Sequence, residues 1–419
     1  MLLKTLAIIA EYNPFHNGHL YQLNTAMEIT KADYSIAIMS GNFLQRGEAA
    51  MWDKYTRGRM CVSSGIDLAI ELPFAYATGS AMDFARGAVS ILNSLNSVDY
   101  LCFGAENPDL SLFDRVADII LQEPDEYKLQ LKESLSLGMS FPAARQKALS
   151  SYLDSAELSH FISQPNNILG IEYICALKRL DSSIKPIIIE RHSAGYHDTS
   201  LNGHISSATA IRQALTNNIS SASPDLIAQD IPENTLRLIQ ELHMQSGPVF
   251  TEDLTPFLQA ALISSSDFSN TCDINRDLSN KLSNACVSSS YNEFIDLLTS
   301  KDYTATRVRR GIIHLLLGYT NYDRDTFIRH GMSLYANILA FKKDSSKLIK
   351  ALSNNSSIPV ITKKADFDDY FNEYDNIDLD VAHRLWELDT KATRLYNCLI
   401  YNRYKHKNTN DFTTKIPIL

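Results

Sequence analysis

The sequence predicts an α/β fold: a parallel sheet covered by helices on both faces, followed by a mainly α-helical C-terminal domain. Three observations predict it. Apolar runs of strand length alternate with helix-length segments through the first half of the chain, the pattern of a parallel sheet. The polar clusters at 13–19, 40–42, 104–106 and 191–198 each follow the end of such a run, where ligands bind in open parallel sheets. Beyond residue 219 the apolar spacing is mostly helical, in 236–242, 254–263, 294–298, 308–317 and 382–399.

The elements follow in order. Leu3 to Ala10 is rich in Ile and Leu, as a strand buried on both faces requires. Gly18 to Lys31 reads as a helix, and Tyr34 to Met39 as a second strand ending in Ser-Gly-Asn-Phe. Asp53 to Ser64 is helical; Asp67 to Phe74 is a third strand, stopped by Pro73. Ser80 to Leu95 is a helix with Gly87 inside it, and Asp99 to Asn107 a fourth strand. A helical insertion occupies about 110–180. Lys185 to Asp198 gives a fifth strand and a polar loop, and Ser206 to Leu215 opens another helix. Ser220 to Pro232, rich in Ser, Asp and Pro, reads as a linker. The expected division is therefore 1–218, with the insertion, and 219–419.

The 419 residues are 45% hydrophobic and 21% charged, an ordinary globular composition. No apolar run approaches bilayer-spanning length, and Glu11 and Asn13 follow the first one too soon for a secretory signal. Six cysteines lie scattered with no C-x-x-C pair, which argues against disulfides and cysteine zinc sites and for a cytoplasmic protein. The net charge of −9 is uneven: residues 1–216 carry −6, 217–300 carry −8 and 301–419 carry +5. A basic end is the weak signature of a polyanion partner.

Phe15-His16-Asn17-Gly18-His19 stands where the first strand hands over to a helix. Backbone N–H groups and the dipole at a helix start form an anion site. Gly18 permits close approach, two imidazoles offer donors to phosphate oxygens, and Asn13-Pro14-Phe15 supplies a stiff turn and an aromatic wall. His16 and His19 could instead be zinc ligands or structural histidines, but no third ligand follows them closely. Asn166 and Asn167 could simply cap the helix after them, Gly104 could be a turn glycine, and Arg212 could sit on a solvated helix face.

The pentapeptide resembles the H-x-G-H signature of the nucleotidylyltransferase superfamily, and Ser206 to Arg212, SSATAIR, resembles its second motif. Together with EYNPFHNGHL, SGNFLQRGEAA, GIDLAIELPFAY, FGAE, PNNILGIEYI and AGYHD, they resemble the bacterial tRNA(Met) cytidine acetate ligase family, strongly over about 5–215. Ala49 stands where that family's pattern has Pro.

The resemblance implies a Rossmann-like catalytic domain, ATP and acetate as substrates, Mg²⁺ with the triphosphate, and elongator tRNA(Met) as acceptor. The activity it implies forms acetyl-adenylate and acetylates N4 of the wobble cytidine. It makes His16, His19 and Arg212 catalytic. It places ATP against Ile9, Ala10, Glu11, Tyr12, Asn13, Pro14, Phe15, His16, Asn17, Gly18, His19, Leu20, Tyr21 and Gln22, and against Gly104, Asn166 and Arg191. No residue is assigned as a metal ligand. Acetate is ionised at pH 7 and needs no base to attack the α-phosphorus. The tRNA contacts it suggests are Arg307, Arg309 and Arg310 in TRVRRGIIH, and Arg403 and Lys405 in YNRYKHK, where aromatics interleave with cations. A small-molecule adenylyltransferase and a non-catalytic nucleotide-binding relative are the alternatives; the long basic C-terminal region argues against the first and the intact motifs against the second.

Overall fold

In the computed structural model of the chain, the described residues are 3–191, 206–216, 224–243, 246–285 and 289–419. Seven strands form one sheet: β1 (Thr5–Ala10), β2 (Tyr34–Ser40), β3 (Leu68–Leu72), β4 (Tyr100–Ala105), β5 (Lys185–Glu190), β6 (Ala336–Phe341) and β7 (Val360–Ile361), in the order β5-β4-β1-β2-β3-β6-β7. All neighbours are parallel except β3 and β6. The residues of β1 from Thr5 to Ile9 are buried, as the unbroken apolar run requires. The strand order reverses at β1, between β4 and β2, so a crevice opens at the carboxyl ends of β1 and β4.

The helices α1 (Asn17–Thr30), α2 (Lys54–Ser63) and α3 (Ala81–Ser94) start where a side chain satisfies their first N–H groups. His16 caps α1, Asp53 accepts from Tyr55 and Thr56 at α2, and Ser80 accepts from Asp83 at α3. The insertion is helical as expected. Its last helix, α4 (Pro165–Arg179), packs Phe103 and Phe113 against Gly170, where a Cβ would lie 2.5 Å from the Phe113 ring. The second motif opens α5 (Ala208–Thr216). Two long C-terminal helices, α6 (Ala305–Leu317) and α7 (Leu379–Tyr404), carry the segments with clustered arginines and interleaved aromatics.

Two expectations change. The C-terminal half is mainly helical but contributes β6 and β7: β6 lies antiparallel to β3, with Ala340 beside Ala69. The run Ala-Asn-Ile-Leu-Ala-Phe is short and apolar, and periodicity alone cannot separate such a run from buried helix. The expected linker is also structured where it is described. Pro224–Ile227 forms a 3₁₀ turn, and Ile227, Asp230 and Ile231 are buried. Residues 220–223 of the expected linker, and the loop after Arg191, lie outside the described residues.

Candidate active site

The crevice is built from the end of β1 onward. Tyr12 takes a left-handed φ of 47° and the Asn13–Pro14 peptide bond is cis. The Asn13 side-chain oxygen accepts the Met51 N–H at 2.9 Å. Phe15, expected as an aromatic wall for ligand, is fully buried with Tyr12 at 4.8 Å and His19 at 5.5 Å. It is a core residue, clustered with Leu6, Tyr12 and Leu23.

The spacing of the two histidines has a local cause. His16 is the N-cap of α1 and His19 the third residue within it, the positions of a capping box. His16 Nδ1 accepts the Gly18 N–H at 3.1 Å, and His19 Nδ1 accepts the His16 N–H at 3.2 Å. Both Nδ1 lone pairs are thus engaged, so each neutral ring carries its proton on Nε2. The rings stack with centroids 3.7 Å apart. The expected free backbone N–H groups are occupied: Asn17 N–H donates to the Asp230 carbonyl at 3.0 Å and His19 N–H to the His16 carbonyl at 2.9 Å. The Asn17 side chain also donates to the Gln229 carbonyl at 2.9 Å. The N–H groups that this helix start leaves available to an anion are therefore those of the imidazoles, not main-chain ones.

Cations from two other elements line the same cavity. Arg212 on α5 donates to the Asn13 carbonyl at 3.1 Å and to the Thr209 hydroxyl at 3.3 Å. Arg191, just past β5, donates to the Asn166 side-chain oxygen at 3.3 Å. Asn166 is fixed in turn by Glu106, which takes its side-chain N–H at 2.6 Å and the Asn167 main-chain N–H at 3.0 Å. Glu106 thereby caps α4, so Asn166 is oriented by a cap and is not itself one. Gly104 was expected to bring nucleotide against the backbone. It lines the cavity, and a Cβ there would lie 3.1 Å from Arg191 Cγ, so the glycine also makes room for the arginine's stem.

Burial sets the charge states. Desolvation, helped by the neighbouring Arg191 and Arg212, lowers the His16 imidazole to about 3, and burial with His16 and Arg191 close by also lowers His19 well below its usual value. Both rings are neutral donors. Burial raises the Glu11 carboxyl, against the Gln45 N–H and Arg212, which lower it. Beneath the site Arg57 of α2 is fully buried and donates to the carbonyls of Trp52 at 2.9 Å, Glu11 at 2.5 Å and Ser40 at 3.0 Å, and to that of Gly41.

Of the predicted residues, Ile9, Ala10, Glu11, Tyr12, Asn13, His16, His19, Gln22, Gly104, Asn166, Arg191 and Arg212 line this one cavity. Gly18 and Tyr21 line a smaller adjoining recess. Pro14, Phe15, Asn17 and Leu20 line neither. Sequence reasoning missed the opposite wall, made by Leu44, Gln45, Arg46, Glu48, Phe84, Phe103, Leu169 and Tyr173. The signal available for it was the polar loop after β2. Ser206 of the second motif is buried and donates to Asp230 at 2.6 Å, so Asp230 ties both motifs together.

The five C-terminal cations differ in surroundings. Arg310 is held by Asp273 at 2.8 and 3.2 Å, and Arg403 by Asp253 at 2.9 Å. Arg307 donates to the Asp273 carbonyl at 3.3 Å, and Arg309 lies 3.8 Å from Glu48 of the cavity loop. Lys405 is exposed. Arg310 and Arg403 are thus each engaged by a carboxylate of the fold.

A strand-to-helix turn with H-x-G-H, contacted by a second-motif arginine in the crevice of a mostly parallel sheet, defines a nucleotidyltransferase of the HIGH class, and residues 3–411 match the HIGH Nucleotidyl Transferase family. The chain is 39% identical to the tRNA(Met) cytidine acetate ligase of Acetivibrio thermocellus over 100% of both chains, and 37% identical to that of Caldanaerobacter subterraneus over 96% of each. It superposes on crystal structures of Thermotoga maritima TmcAL over 100% of both chains, with TM-score 0.91 and 31% identity to the form bound with alpha-thio ATP, and 0.93 and 32% to the apo form. The chain belongs to the tRNA(Met) cytidine acetate ligase family. Among the described residues, no helix is long and apolar enough to cross a membrane.

Proposed function

We propose that this chain is an ATP-dependent ligase that activates acetate as acetyl-adenylate and transfers the acetyl group to N4 of the wobble cytidine of elongator tRNA(Met). The observation that carries the reading is the convergence of His16, His19, Arg191 and Arg212 on one cavity in a chain similar over its full length to ligases of that name. In the first step an acetate oxygen attacks the α-phosphorus and pyrophosphate leaves. Negative charge grows on the leaving oxygens, where two Nε2–H donors and two guanidiniums are already fixed. No protein base is needed, because acetate arrives ionised. The cavity's two carboxylates, Glu11 and Glu48, are accompanied by Arg212 and Arg309. Such a site suits Mg²⁺ held chiefly by phosphate oxygens and water.

In the second step the cytidine amine attacks the acetyl carbonyl and AMP leaves. The wobble base reaches the cavity unstacked from the anticodon. Arg309 and Lys405 are the tRNA contacts best supported by their surroundings, since Arg309 sits beside the cavity loop and Lys405 is exposed. Cytoplasmic residence follows from the tRNA substrate. Acetate-dependent exchange of pyrophosphate into ATP, followed by mass analysis of tRNA nucleosides, tests the reading. Exchange with acetate and N4-acetylcytidine with tRNA support it. Exchange that ignores acetate, or nucleotide binding with no turnover, refutes it.

A further inference from the structure

The acetyl-transfer step releases a proton from the cytidine amine, and the two histidines are not built to receive it. Each has Nδ1 occupied by a backbone N–H, at 3.1 and 3.2 Å, and its proton on Nε2. Two carboxylates line the cavity. Glu48 lies on the side of Arg309, 3.8 Å away. Glu11 closes β1 beside the histidine turn. Its main-chain carbonyl is anchored by Arg57 at 2.5 Å, and its Oε1 by the Gln45 N–H at 2.9 Å. Among the described residues no hydrogen-bond donor reaches its Oε2.

We propose that Glu11 accepts the N4 proton of cytidine in the acetyl-transfer step, an inference that rests on the function proposed above. The N4–carbon bond forms, and the acyl carbon–oxygen bond to AMP breaks, with the electron pair leaving on the AMP phosphate. Glu11 Oε2 takes the proton from N4, whose N–H electron pair stays on nitrogen, and then returns it to solvent. A carboxylate held at one oxygen and open at the other fits a base that must be positioned yet reachable. Gln45 supplies the fixed point, so the loop after β2 orients the base.

The groups facing Glu11 set its behaviour. Arg212 on α5 and Arg46 on the loop favour the carboxylate; Glu48 on the same loop disfavours it; Tyr173 on α4 is buried nearby. Burial outweighs the cations and raises the carboxyl. A base must be deprotonated to act, so transfer rises with pH through this ionisation and then levels.

The test supplies synthetic acetyl-adenylate and elongator tRNA(Met) to the full-length enzyme in a single turnover, reading N4-acetylcytidine by mass spectrometry across pH. The wild-type rate is expected to climb about tenfold per pH unit on the acid limb. Glu11→Gln is expected to be at least about 100-fold slower at saturating acetyl-adenylate and to lose that limb. Glu11→Asp is expected to recover part of the rate and keep a limb, which separates chemistry from misfolding. The inference is overturned if Glu11→Gln keeps the wild-type profile, or if its deficit disappears at saturation. If the wild type itself makes no acetylcytidine from acetyl-adenylate, the proposed function falls and this inference with it.

Discussion

Replacing His16 with Asn should flatten the acid side of the protein's stability profile. His16 is 6% exposed, and its imidazole is lowered from 6.5 to about 3. The unfolded chain therefore binds a proton at a pH where the folded chain refuses it. The stability tied to neutral His16 is complete above 6.5 and is lost as pH falls from 6.5 towards 3. At pH 5 the loss is about 2 kcal/mol for this residue alone. The Asn side chain can accept the Gly18 N–H as a favoured N-cap and does not titrate, so the variant folds without that penalty. Urea unfolding of both proteins at pH 8, 6.5 and 5 measures it. The wild type should lose about 2 kcal/mol more than His16→Asn between pH 8 and pH 5. Losses equal to within about 0.5 kcal/mol would refute the assignment of a neutral capping imidazole.

Arg57→Met should destabilise the fold by about 3–5 kcal/mol in urea titrations, because buried carbonyls of Glu11, Ser40 and Trp52 lose their donor. Gly47 has φ +73°, and a Cβ there would sit 2.4 Å from the Arg310 backbone nitrogen, whereas Gly331, at φ +79°, has nothing within 4 Å. Gly331→Ala should then cost about 1–2 kcal/mol in thermal unfolding, and Gly47→Ala distinctly more, with loss of tRNA acetylation; equal costs would contradict the packing of the cavity loop on α6. Arg310→Ala should lower stability by about 1–3 kcal/mol by leaving Asp273 without its bidentate partner. Arg309→Ala should leave stability within about 0.5 kcal/mol and weaken tRNA binding in a filter assay; the reverse pattern would exchange the two roles.

The sheet was legible because β1 to β5 are apolar runs with turns at their ends, and buried parallel strands demand that composition. β6 escaped because a six-residue run with five apolar residues fits either a strand or a buried helix, and only pairing with β3 decides. His16, His19 and Arg212 could be found from local motifs. What held them could not: Arg57 reads as an ordinary helix arginine until its four carbonyl partners are assembled. Asp230 lay in a stretch with linker composition, yet it joins the two motifs. Arg309 and Arg310 are adjacent in sequence; a partner 37 residues away, Asp273, distinguishes them. The imidazole capping box has the spacing of the familiar hydroxyl–carboxylate one, but its residue types signal phosphate first and helix cap second.

A crystal structure of this chain with a nonhydrolysable ATP analogue tests the account most directly. The phosphates should lie within hydrogen-bonding distance of Nε2 of His16 and His19, with the Asn17 N–H still on the Asp230 carbonyl. Phosphates seated on the main-chain N–H groups of 17–19, with Asp230 displaced, would contradict the claim that neutral imidazoles are the donors.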